Sequence, residues 1–143
     1  MKLFIDLDGT LANFNGQPNA LNRYKTEKGF FANLKPTSLV KDLSYIQDTE
    51  NIYILSTSPN KQADKDKLEW VKKHVSNVKL SQVILVRDNT EKRKYALNNT
   101  LIDDHTPNLL DWLKHGGQVI KVINDHNGKT GRSKGFNKIV LEY

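Results

Sequence analysis

Two aspartates, Asp6 and Asp8, close the apolar run Leu3-Phe4-Ile5 and stand directly before Gly9-Thr10-Leu11. Side chains two apart in a strand share a face, so both carboxylates can converge just past its end. At roughly 4 Å such a pair repels by about 4 kcal/mol in a medium of effective dielectric near 20. It therefore implies a bound cation, a shared proton or water between the acids. One Asp after a strand commonly caps turn amides. Two of them ahead of a glycine mark an active site.

A second acidic pair, Asp103-Asp104, ends the apolar segment Asn99-Thr100-Leu101-Ile102 and is followed by His105. Between the two pairs, Asn51-Ile52-Tyr53-Ile54-Leu55 runs into Ser56-Thr57-Ser58-Pro59, and the hydroxyls of Thr57 and Ser58 suit phosphate oxygens. Gln82 to Val86 runs into Arg87-Asp88-Asn89-Thr90-Glu91-Lys92-Arg93-Lys94. Thr90 is the expected helix N-cap, with Lys92 and Lys94 on the first turn. Lysine there opposes the helix dipole, so at least one of the two is expected to answer an anion.

Clustered Asp oxygens in a chain with no Cys, and with four scattered His residues, suit a hard cation, Mg2+ first. Next to such an ion, one Asp can attack phosphorus while a neighbouring carboxyl protonates the leaving oxygen and later activates water. Hydroxyls and a lysine would hold the remaining phosphate oxygens. His105 is expected near the site but not as a ligand.

These residues need a scaffold that brings distant strand ends together. Strands are expected near Leu3–Leu7, Asn51–Leu55, Gln82–Val86, Asn99–Ile102 and Gln118–Ile123, with a last edge strand in Phe136–Tyr143. Helices are expected over Ala20–Lys28, from Pro36 to about Gln47, over Lys61–Val75 with Leu68, Val71 and Val75 inward, and from Thr106 to the stop at Gly116-Gly117. The Lys and Asp residues of the third helix are read as a solvated surface, and Asn124–Gly135 as a mobile loop. Strands alternating with helices predict one α/β domain over residues 1–143, with a mostly parallel, Rossmann-like three-layer sheet. Ligands bind beyond the carboxyl ends of such strands, where Asp6, Asp8, Thr57, Ser58, Asp103 and Asp104 all fall. The insert 12–35 lies over that edge, and its Phe30-Phe31 pair is either core or a ligand platform.

The chain has 143 residues, a net charge of +6 and 37% hydrophobic residues, in keeping with one soluble domain that favours anionic partners. The lack of Cys and of a leader-like N-terminus leads to the expectation of a cytoplasmic protein without a membrane span.

Phe4-Ile5-Asp6-Leu7-Asp8-Gly9-Thr10-Leu11 resembles the first motif of the haloacid dehalogenase-like (HAD) phosphatase superfamily. Ile54-Leu55-Ser56-Thr57-Ser58-Pro59 is similar to its second motif, Lys92 or Lys94 to its third, and Leu101-Ile102-Asp103-Asp104 to its fourth. The resemblance implies Asp6 as nucleophile and Mg2+ ligand, and Asp8 as acid and base that also meets the metal through its carbonyl. It also implies Thr57 as phosphate binder and an acidic ligand from the fourth motif, Asp104 preferred over Asp103. Gly29-Phe30-Phe31 before a Leu-Lys-Pro turn, with Thr57-Ser58-Pro59 and the fourth motif, looks like the 5'(3')-deoxyribonucleotidases. That likeness implies nucleoside monophosphate substrates with a Phe against the base. Two departures stand out: the cap, 12–35, is reduced, and Asn89 occupies the usual lysine position, which shifts that role to Lys92 or Lys94, with Lys92 preferred. The expected activity is phosphomonoester hydrolysis on a small, nucleotide-like substrate. The alternatives are a polynucleotide end phosphatase and a binding protein without catalysis.

Overall fold

The computed structural model describes residues 1–124, 126–127 and 135–142. Six strands form one sheet: β1 (Leu3–Ile5), β2 (Ile52–Thr57), β3 (Val83–Val86), β4 (Thr100–Asp103), β5 (Gln118–Ile123) and β6 (Asn137–Val140), in the order β3-β2-β1-β4-β5-β6. Each neighbouring pair is parallel. The helices are α1 (Ala20–Arg23), α2 (Ser38–Ser44), α3 (Lys61–His74) and α4 (Thr106–Lys114), with 3-10 segments at Leu80–Gln82 and Asn89–Tyr95.

Strand periodicity sorts the core into two layers. Phe4, Leu55 and Leu101 point to the face covered by α4, where they meet Leu109 and Trp112. Ile5, Ile54 and Ile102 point to the other face, against Trp70 and Val71 of α3 and Leu39 and Leu43 of α2. The central strands are buried on both sides, and this is why they read as continuous apolar runs. The expected three-layer α/β architecture is the one present.

Element limits differ from expectation where local chemistry intervenes. The first expected helix shortens to α1, four residues after Asn19, whose backbone is left-handed at φ 55°. The second stops at Ser44. Thr90 is not the N-cap of its segment: Asp88 is, accepting the Thr90 amide, and the segment winds as 3-10. α4 ends where Gly116 takes φ +86° and Gly117 lies so close beneath Trp112 that a Cβ would sit 2.1 Å from its Nε1. Of the loop expected over Asn124–Gly135, residues 125 and 128–134 lie outside the described residues, while Asn124 is buried.

The insert leaves and rejoins the sheet through a closed neck. Ala12 bridges both Asp8 and Pro36, the Asn13 amide donates to the Lys35 carbonyl at 2.8 Å, and the Thr37 amide to the Leu11 carbonyl at 2.8 Å. Inside it, Phe14, Tyr24, Phe30 and Phe31 pack ring on ring, the last two with centroids 5.2 Å apart. It is fastened along α3: Asn60 Nδ2 donates to the Lys25 carbonyl (3.0 Å), Asp66 Oδ2 accepts the Gly29 amide (2.8 Å), and Trp70 Nε1 donates to the Leu34 carbonyl (2.7 Å).

This corrects the expected solvated face of α3. Its inward stripe is Ala63, Asp66, Lys67, Trp70 and Val71, while Leu68 is only half-buried. Among the described residues no helix is long and apolar enough to cross a membrane.

Candidate active site

Register explains why residues almost a hundred positions apart meet. Ile5 is aligned with Ile102, and the Asp6 amide donates to the Ile102 carbonyl at 2.9 Å. Asp6 and Asp103 therefore leave adjacent parallel strands at one level. Lys92, from the 3-10 segment after β3, reaches between them, with Nζ 2.9 Å from Asp6 Oδ1 and 3.1 Å from Asp103 Oδ2. Asp103 is saturated further by the His105 amide (2.9 Å) and Asn108 Nδ2 (3.1 Å). Lys94 is turned away. Its side chain is 66% exposed and faces Glu91 at 3.6 Å, so of the two candidate lysines only Lys92 enters the site.

Asp104 approaches from the other side of the Asp6 turn. Its Oδ1 lies 3.5 Å from Thr10 Oγ1, which also reaches Asp6 Oδ2 at 3.3 Å. The Asp104 carbonyl accepts from Lys121 Nζ and from Asn127 Nδ2, and Asn124 Nδ2 holds the Gly9 carbonyl at 3.0 Å. Gly9 has φ +84°, and a Cβ there would lie 2.2 Å from Asp104 Oδ2. Only glycine lets the Asp8-Gly9 turn and Asp104 come this close.

The charge balance is uneven. Burial, together with the charges of Asp103 and Asp8 and against that of Lys92, pushes the Asp6 carboxyl up to about 7. Asp104 is raised well above the usual carboxylate range by burial and by Asp6 and Asp103. In Asp103 burial is outweighed by Lys92 and by the hydrogen bonds from His105 and Asn108, so its pKa is lowered. In Lys92 likewise burial is outweighed by Asp103 and Asp6, and its pKa is raised. One lysine thus faces three carboxyl groups at the strand ends, and two of the three are pushed toward their neutral form.

Asp6, Asp103 and Asp104 each present an oxygen within 4.8 Å of the others. An all-carboxylate donor set that outnumbers its one lysine fits a hard divalent cation such as Mg2+. Among the described residues Asp103 is the most fully occupied of the three by hydrogen bonds, whereas the Asp104 carboxylate makes long contacts to Thr10 (3.5 Å) and Asn124 (3.4 Å). The carboxylate of Asp8 stands apart from this cluster. Its Oδ2 pairs with Lys67 Nζ at 2.7 Å, and its Oδ1 is buried without a hydrogen-bond partner.

The strand ends form the floor of an open cleft of about 710 Å³. Ser56, Thr57, Pro59, Asn60, Arg87 and Asn89 line one wall, and Phe14, Leu21, Tyr24, Lys25 and Phe31 from the insert line another. Thr57 Oγ1 donates to Asn89 Oδ1 at 2.5 Å, so Asn89 sits directly beside that hydroxyl.

Besides Lys94, two expected site residues do not line the cleft. The Ser58 side chain is fully buried beneath the turn, where its amide donates to the Val86 carbonyl; Ser56 faces the cleft instead. Phe30 is turned into the core, packed edge-on to Phe14 and Phe31, while Phe31 supplies the wall.

Lys67 was the residue hidden in the sequence. It is wholly buried, and its surrounding Ala63, Trp70 and Val71 sit at helical spacing on either side. A lysine on the apolar stripe of a helix is the signal that would have found it.

No curated protein matches the chain. Among solved structures it resembles the HAD domain of the effector protein Lem4 from Legionella pneumophila, an inactive mutant. The TM-score is 0.50 at 15% identity, over 92% of this chain and 88% of that one, a likeness of fold. The family model for the 5' nucleotidase, deoxy (pyrimidine), cytosolic type C protein (NT5C) matches residues 15–138, from just beyond Asp6 and Asp8 through the second acidic pair. With that match over most of its length, the chain belongs to this family of HAD-like nucleotidases.

Proposed function

We propose that the protein hydrolyses phosphate monoesters through an aspartyl-phosphate on Asp6, and that its substrates are deoxyribonucleoside 5'-monophosphates. The observation that carries this reading is the contrast between two carboxylates at one strand end. Asp6 is gripped by Lys92 and Thr10, while Asp8 has one oxygen on Lys67 and the other buried and free. That is the division needed between a nucleophile and a proton carrier.

In the first step an Asp6 oxygen bonds to phosphorus as the ester P–O bond breaks, and the Asp8 carboxyl delivers its proton to the leaving sugar oxygen. In the second, Asp8 takes a proton from water, the water oxygen bonds to phosphorus, and the Asp6–phosphorus bond breaks to release inorganic phosphate. Thr57 and Lys92 orient the phosphoryl oxygens. Asp6 and Asp104, backed by Asp103, would hold Mg2+, whose charge offsets the carboxylates and draws in the phosphate. Residues 12–35 act as a small cap on a single domain, presenting Phe31, Phe14 and Tyr24 to the base, with the aromatic wall supporting a planar ligand.

Phosphate release is measured on deoxy- and ribonucleoside 5'- and 3'-monophosphates and on a 5'-phosphorylated oligonucleotide, with Mg2+ or with EDTA. Turnover fastest on deoxyribonucleoside monophosphates and abolished by EDTA is expected. Faster release from the oligonucleotide would replace the substrate assignment with a polynucleotide end.

A further inference from the structure

Lys67 lies in α3, outside every element that carries the strand-end acids, yet its ammonium is spent entirely on the site. Nζ donates to Asp8 Oδ2 (2.7 Å), to Ser56 Oγ (2.9 Å) and to the Thr57 carbonyl (2.7 Å). These three acceptors match the three N–H groups of an ammonium. The same Nζ sits 4.3 Å from the centroid of the Phe31 ring, which closes it off on the remaining side. The side chain has no exposed surface. Burying a lysine is costly unless it is fully paired, so its place here demands a return that an apolar residue in that stripe would not give.

The return is geometric. Asp8 stands past the end of β1, where the chain turns at Gly9, and among the described residues its carboxylate has no other hydrogen-bond partner than Lys67. A carboxylate with one oxygen pinned has its other oxygen fixed as well, and for Asp8 that second oxygen is the unpartnered Oδ1. We infer that Lys67 is a positioning residue: it fixes the orientation in which the Asp8 carboxylate serves the leaving-group oxygen, and ties that orientation to the Ser56-Thr57 wall and the Phe31 ring. The inference rests on the phosphatase reading above.

If Lys67 acts through Asp8, its loss weakens proton delivery to the leaving group. Substrates that need that proton then suffer more than those that do not. An alkyl phosphate such as a deoxyribonucleoside 5'-monophosphate departs as a basic alkoxide unless protonated, whereas p-nitrophenyl phosphate departs as a stable phenolate.

The test compares kcat/KM on these two substrates for the full chain, Lys67→Met, Asp8→Asn and the double variant. Lys67→Met is expected to lower kcat/KM about 100-fold on the nucleotide and less than about 10-fold on p-nitrophenyl phosphate. In the Asp8→Asn background it is expected to add little further loss, since residues acting as one unit are not additive. Equal loss on both substrates, or additive loss with Asp8→Asn, overturns the proposal. An inactive unaltered chain overturns the phosphatase reading and the proposal with it, whereas an active chain with equal losses overturns the proposal alone. Should Lys67→Met not fold, Ser56→Ala, which removes one of the three acceptors, is measured in its place. A few-fold loss confined to the nucleotide supports the proposal, and equal loss on both substrates rejects it.

Discussion

Lys92 Nζ lies 2.9 Å from Asp6 Oδ1, at the meeting point of a 3-10 turn and the end of the central strand. The same ammonium also holds Asp103, so one buried cation neutralises acids from two strands. Replacing it strands both carboxylates in the interior. Lys92→Met is expected to destabilise the metal-free fold by about 3–5 kcal/mol, whereas the exposed Lys94→Ala changes stability by less than about 0.5 kcal/mol. Urea denaturation of the two variants in EDTA checks this, and comparable midpoints would refute the assignment of Lys92 over Lys94.

Asp6→Asn keeps the size of the side chain and its place beside Lys92 but removes the proposed nucleophile. Its expected effect is a loss of about 1,000-fold or more in phosphate release from p-nitrophenyl phosphate, with an unchanged circular dichroism spectrum. Retained turnover in the folded variant would remove Asp6 from the chemistry.

The acid cluster sets a pH dependence with a definite sign. In the metal-free chain the Asp6 carboxyl is pushed from 3.8 up to about 7, with burial the main cause. The folded state then binds more protons than the unfolded state between those values, so this group's contribution to stability is lost as pH rises through that window. Asp104, raised for the same reason, acts in the same direction. A divalent cation on these oxygens removes the penalty. The difference in Tm between Mg2+ and EDTA is therefore expected to grow as pH rises toward and beyond about 7. A difference that is absent or that shrinks with pH, followed by differential scanning fluorimetry, would argue against a cation at this cluster.

Gly9 tests the same cluster sterically. A methyl group there meets Asp104 Oδ2 at 2.2 Å, on a backbone already at φ +84°. Gly9→Ala is expected to displace Asp104 and weaken Mg2+ about 10-fold or more, read as a shift in the Mg2+ concentration that stabilises the fold. An unshifted titration would show that Asp104 is not a ligand.

Phe30 and Phe31 are neighbours with different duties. Phe31 lines the cleft and Phe30 packs into the core, so Phe31→Leu is expected to raise KM for nucleotides several-fold while Phe30→Leu lowers Tm and leaves KM unchanged. Steady-state kinetics and melting curves on the pair separate the roles; the reverse pattern would exchange them.

Much of this site is legible in the chain itself. Asp6, Thr57 and Asp103 end apolar runs, and in a parallel sheet run ends share an edge. Periodicity also gives the two-sided burial of Phe4 against Ile5, because adjacent strand residues must face opposite layers. Other features lie beyond local patterning. Asp88 rather than Thr90 caps the segment carrying Lys92, since both residues are competent caps and only the backbone path after β3 chooses between them. The choice between Lys92 and Lys94 follows from that path, as does the burial of Ser58 where β2 gives way to a turn.

What the sequence alone determined is therefore the set of acids, Thr57 among the hydroxyls, and the alternation of strands and helices that brings them to one edge. These depend on residue type and on periods of two and about 3.6, which are written locally. What only the tertiary structure decided is how the acids are partnered. Asp8 is tied to Lys67 across 59 positions and Asp6 to Lys92 across 86, and although local pattern can flag each lysine, it does not name the acid that each one meets. A charged residue on a helix is read as solvated until its neighbours are known. Whether its charge meets water or a buried carboxylate is fixed by which element packs over it, and for Lys67 that element is the insert closing on α3.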